Sequence, residues 1–111
     1  MIVVGLAGLV LLPTLAYAQA TITGTVRDTS NAVLPGVIVE ANSPAVGVPR
    51  SAVTDSNGIY RIIDLPPGTY SLTTSLPGFS TVKREGVELA GTATITIPIE
   101  MRVGAVSDPS R

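Results

Sequence analysis

The 111-residue chain has no cysteine, no histidine and no tryptophan, and only one lysine and one phenylalanine. Without cysteine there is no disulfide, no lipid-modified cysteine, no thiol nucleophile and no thiolate metal site. Without histidine the commonest general base and metal ligand is missing, so Ser-His-Asp chemistry has no centre. A Ser-Lys dyad would require Lys83 to be buried, yet it lies beside Arg84 in a polar stretch that reads as a solvated face. Seven basic and eight acidic side chains leave a net charge of −1, which offers no electrostatic footprint for nucleic acid or anionic lipid. The inventory points away from an enzyme and implies no cofactor, no metal and no catalytic residue.

What charge there is falls unevenly. Residues 1–18 hold 14 apolar residues and no charged side chain. Ile2 to Leu12 is an apolar run broken only by Gly5 and Gly8, and Ala16-Tyr17-Ala18 closes it with small residues at the first and third positions. That pattern predicts a signal peptide cleaved after Ala18, because small side chains fit the peptidase pockets. A membrane span would need about 20 apolar residues, more than this stretch supplies. No Lys or Arg precedes the run, so the amino group is its only positive charge. With no cysteine at the cleavage point, the product is not a lipoprotein. The remaining 93 residues carry every charge and suffice for one domain with one core, expected at residues 19–102 with a tail at 103–111.

Those 93 residues include 12 Thr, 11 Val and 8 Ile, a third of the total, and these β-branched side chains suit strands better than helices. Apolar residues alternate with period two. A first strand is predicted over Ala20–Arg27 with Ile22, Gly24 and Val26 on one face. Pro35-Gly36 ends a turn-rich connection, after which Val37, Val39 and Ala41 share a face. A loop at 42–49 leads to a short strand at 50–54. Asp55-Ser56-Asn57-Gly58 then predicts a hairpin, in which Asp accepts from the turn backbone and Gly supplies positive φ. Strands follow at 59–65, 69–74 and 79–89. The last, from Thr92 to Arg102, places Ile95, Ile97, Ile99 and Met101 on one face, and Pro98 must turn its missing donor to solvent or a bulge. Seven such strands predict an all-β fold, an antiparallel β-sandwich. The expected core is Ile22, Val26, Val37, Val39, Tyr60, Ile62, Tyr70, Leu72, Phe79, Ile95, Ile97 and Ile99.

Five segments together carry a family resemblance: Gly24-Thr25-Val26 through Asp28; Leu34-Pro35-Gly36-Val37-Ile38-Val39; Thr54 through Tyr60; Leu65-Pro66-Pro67-Gly68-Thr69-Tyr70-Ser71-Leu72; and Pro77-Gly78-Phe79. In order and spacing the chain resembles the carboxypeptidase regulatory-like domain family over about residues 20–102. The resemblance implies a transthyretin-like, seven-stranded sandwich, near the starch-binding-domain-like folds. It also implies a module of the kind found at the N-terminus of TonB-dependent outer-membrane receptors, ahead of a plug and barrel, and no peptidase activity. Two versions stay open: a stand-alone periplasmic domain, or a shortened receptor N-terminus.

Each candidate site has a plainer explanation. Asp55-Ser56-Asn57-Gly58 resembles the start of a calcium loop, but the next acid, Asp64, lies beyond a strand, and calcium needs six to eight oxygens. Tyr60, Tyr70 and Phe79 could stack on a sugar, yet they fall on the apolar phase of their strands. A sugar site would then be left to the loops near Asn42, Asn57 or Asp64, and carbohydrate binding rests on fold analogy. Related surface sandwiches join a Lys on the first strand to an Asn, but that strand offers Arg27, which cannot form the amide. Lys83, Arg84, Glu85 and Glu88 read as edge-strand protection. The expected function is a non-catalytic exported spacer or docking module, periplasmic or outer-membrane-associated and monomeric, touching the membrane only through a receptor or envelope protein. The alternative is a carbohydrate-binding module, and a third possibility is an adhesive module that adds an edge strand to a partner.

Overall fold

A computed structural model describes residues 19–44 and 46–104. The predicted signal segment and the end of the predicted tail lie outside them. Eight strands form: β1 (Ala20–Asp28), β2 (Ile38–Asn42), β3 (Arg50–Val53), β4 (Ile59–Leu65), β5 (Gly68–Ser75), β6 (Val82–Leu89), β7 (Thr94–Thr96) and β8 (Ile99–Met101). One sheet has the order β4-β1-β7, with β8 also on β1; the other has the order β3-β2-β5-β6. The sandwich is all-β, as the alternation requires, and has seven strands if the collinear β7 and β8 are taken as one interrupted strand.

The alternation translates directly into burial. Ala20, Ile22 and Val26 face inward from β1, Val39 and Ala41 from β2, and Tyr70 and Leu72 from β5, all buried. Ten of the twelve expected core residues are buried; Phe79 and Ile95 are half-buried against them. Leu65, Val87, Leu89 and Met101 complete the core. Leu65 and Val87 lie beyond one-residue register slips. Between Ala20↔Leu65 and Ile22↔Ile62, Thr21 faces two residues, Ile63 and Asp64, with Asp64 at φ 60°. Between Tyr70↔Val87 and Leu72↔Arg84, Ser71 faces Glu85 and Gly86. Each bulge resets the phase, so that an odd-numbered residue turns inward after an even one.

Three local expectations are corrected. The Asp55–Gly58 turn forms, with Gly58 N–H donating to Asp55 O at 2.8 Å and Gly58 at φ 75°, but it joins β3 of one sheet to β4 of the other. It is therefore a crossover and not a hairpin. The strand expected over 79–89 begins at Val82, because Phe79 is held in an isolated bridge to Val103. The final strand breaks before Pro98 and runs parallel to β1 in both halves: Thr21↔Thr94 to Thr23↔Thr96, then Val26↔Ile99 to Asp28↔Met101. All other pairings are antiparallel.

Gly24 explains how the break is tolerated. A Cβ there would run into the Ile97 carbonyl oxygen and lie 2.9 Å from the Tyr60 ring. Only glycine lets the chain cross so closely. The Tyr60 hydroxyl in turn donates to Ile97 O at 2.7 Å, satisfying a carbonyl that the interrupted ladder leaves over.

Candidate functional site

The strands define two poles. Ala20, Leu65, Asn42 and Arg50 lie at one; Asp28, Ile59, Val53 and Met101 lie at the other. The loop residues singled out from the sequence are divided between them. Asn42 and Asp64 share the first pole, where Arg50 Nη1 donates to Asp64 O at 2.8 Å. Asn57 sits at the second, in the Asp55–Gly58 turn.

At the first pole a shallow cleft of about 430 Å³ opens beside Asn42, Pro44, Val46, Pro49 and Ser71. At the second, a cleft of about 450 Å³ lies where β1 meets the β7–β8 break, lined by Thr25, Arg27, Asp28, Asn31, Pro98, Ile99 and Glu100. Arg27 and Glu100 are register partners and share its wall. Asp28 Oδ1 accepts from Ser30 N–H (2.8 Å), Ser30 Oγ–H (2.7 Å) and Ala32 N–H (3.0 Å). These bonds, the Ser30 hydroxyl first, hold its carboxyl below the usual range. The cleft thus presents a guanidinium, two carboxylates and a hydroxyl: an open surface of mixed sign that can accept polar groups. The sequence reading missed it because Arg27 and Glu100 are 73 positions apart, and only the parallel pairing of β8 with β1 unites them.

The sequence-predicted sites resolve into structural roles. Asp55 Oδ1 accepts from Asn57 N–H at 2.8 Å and Ile59 N–H at 3.0 Å, so this oxygen shapes the turn. Among the described residues no three His, Cys, Asp or Glu side chains gather as a metal site requires. Tyr60 and Tyr70 are buried, and the Tyr70 hydroxyl donates to Pro66 O at 2.7 Å. Burial raises the Tyr60 hydroxyl to about 12, against a smaller opposing effect of Arg84, and raises that of Tyr70 in the same direction. Neither ring is available to a sugar. Phe79, half-buried, keeps some surface. Lys83 and Glu85 pair at 3.4 Å, both exposed, on the edge strand β6.

Comparison with known proteins agrees with this geometry. The family model described as carboxypeptidase regulatory-like domain matches residues 21–102. The chain is 38% identical over 95 residues to the TonB-dependent transporter Oar of Myxococcus xanthus, a match that takes in 84% of this chain and 9% of that protein. The chain therefore spans about a tenth of the length of this curated relative. Among solved structures it is similar to a chain of a type II cohesin–X–dockerin complex from Acetivibrio cellulolyticus (29% identity, TM-score 0.61, 77% of this chain and 58% of that one). It is also similar in fold to GBS52, the minor pilin of Streptococcus agalactiae (20% identity, TM-score 0.62, 86% and 49%).

Proposed function

Because the chain belongs to the carboxypeptidase regulatory-like domain family, we propose that it is an exported spacer or docking module of a TonB-dependent receptor-type system, lying in the periplasm or at the outer membrane. The observation that carries this reading is the 38% identity to the transporter Oar, sustained over 95 residues and 84% of this chain. The two clefts are shallow and open, as suits a surface that meets another protein better than one that encloses a small molecule. The sequence holds neither cysteine nor histidine, the usual members of a nucleophile–base pair. The experiment is fractionation of cells producing the tagged chain, followed by crosslinking. Recovery in the envelope, crosslinked to an outer-membrane receptor, is the expected result; recovery in the cytosol with no envelope crosslink would count against it. The carbohydrate reading lacks support from Tyr60 and Tyr70, which are turned inward, and a glycan array without a hit closes it.

A further inference from the structure

We infer that this sandwich is a tension-bearing module in which the first and last strands form a shear clamp. The β1 strand lies inside its sheet, with β4 on one side and β7 and β8 on the other. The β7 and β8 pairings with β1 are both parallel, at three residue pairs each. Parallel pairing places Ala20, where β1 begins, and Met101, where β8 ends, at opposite poles. At about 3.3 Å per residue the nine residues of β1 separate those poles by roughly 26 Å. Tension applied between the two ends of the domain therefore runs along the strands and across their hydrogen bonds. The strands can part only by sliding, which loads the ladder bonds together.

Two further ties resist that slide. The Tyr60 hydroxyl holds Ile97 O, so β4 grips the gap between β7 and β8, and the Ile97 N–H donates to Thr23 O at 2.8 Å. Beyond β8 the chain is pinned to the other sheet's connecting loop, with Ser80 N–H donating to Arg102 O at 2.8 Å and Gly104 N–H to Gly78 O at 2.9 Å. The antiparallel pair β1–β4 has the contrary geometry. Ala20 and Leu65 are partners at one pole, and pulling them apart opens the ladder one bond at a time. The relevance of the clamp rests on the proposed placement in an envelope assembly, where partners held at the two poles would transmit the load. Its mechanics depend only on the pairing.

The native chain has no cysteine, so introduced cysteines give unique attachment points. In optical tweezers, the full chain carrying Gln19→Cys and Arg102→Cys is loaded in shear, and the full chain carrying Gln19→Cys and Pro67→Cys is loaded in the unzipping direction. At equal loading rate the first is expected to rupture at severalfold higher force; equal forces, or a higher force in the second, would overturn the inference. Thr21→Pro removes the N–H that donates to Ala93 O at 3.0 Å. In the shear geometry its rupture force should fall proportionally more than its denaturant midpoint, and an unchanged force would remove the ladder as the clamp. A low shear force alongside an intact receptor crosslink would overturn the clamp alone. A high shear force without that crosslink would support the clamp and overturn the receptor reading.

Discussion

At the scale of single residues, Gly24 and Tyr60 form one device. The glycine admits the Ile97 carbonyl and the tyrosine hydroxyl satisfies it. Gly24→Ala forces a methyl group into backbone that cannot retreat, and is expected to cost about 1–3 kcal/mol in urea unfolding. Tyr60 also sets an alkaline limit. Its hydroxyl ionises near 10 in an unfolded chain and about 12 here, because burial opposes the phenolate. The folded state thus binds this proton more tightly, so its contribution is fully present below pH 10 and is lost as pH rises through about 12. Stability followed by urea midpoints should decline across that window, and Tyr60→Phe should make the decline shallower.

Between elements, much of the ordering comes from side chains that no period predicts. Thr54 is buried just after β3; its Oγ–H donates to Leu34 O at 2.6 Å while Oγ accepts from Val37 N–H at 2.9 Å. Thr54→Val keeps the shape and orphans both backbone groups, an expected loss of about 1–3 kcal/mol, whereas Thr54→Ser should retain most of the stability. Arg84 stands opposite Leu72 on the inward phase of β6 yet is exposed, a charge placed where a core residue would otherwise extend the edge. Arg84→Val is expected to raise self-association, read as a concentration-dependent shift in sedimentation velocity. Strand positions and inward faces were legible where the alternation ran unbroken, as in β1 and β5. Leu65 and Val87 were not, because a bulge inserts one residue and no local signal marks it apart from Gly86. The sheet change at Asp55–Gly58 was equally hidden: the turn chemistry there serves a hairpin or a crossover alike. The Arg27–Glu100 cleft needed the partner of β1, which period-two patterning does not specify.

Over the whole molecule, both sheets bury their inner faces in one continuous cluster, from Ala20 and Ile62 to Val87 and Met101. Neither sheet retains a core without the other. Unfolding followed by far-ultraviolet circular dichroism and by tyrosine fluorescence should therefore give coincident transitions; separated midpoints would mean that the sheets melt independently. Exposed apolar side chains are spread over several elements, with Ile38 beside Val53 on the second sheet and Ile59 and Ile63 on the outer side of β4. Spread in this way, they are ordinary surface residues that call for no role of their own.

The parallel seam also has a consequence in time. A chain made from its N-terminus supplies β1 with its β4 partner first and with its other neighbour last, because the ladder joins Val26 to Ile99. Until residues near 100 are available, one flank of β1 has open backbone groups and the Tyr60 hydroxyl lacks its acceptor. Loop closure over so long a separation is slow compared with forming local pairs. The domain is thus locked by β8, and it stays open along one flank of β1 until Met101 has been delivered.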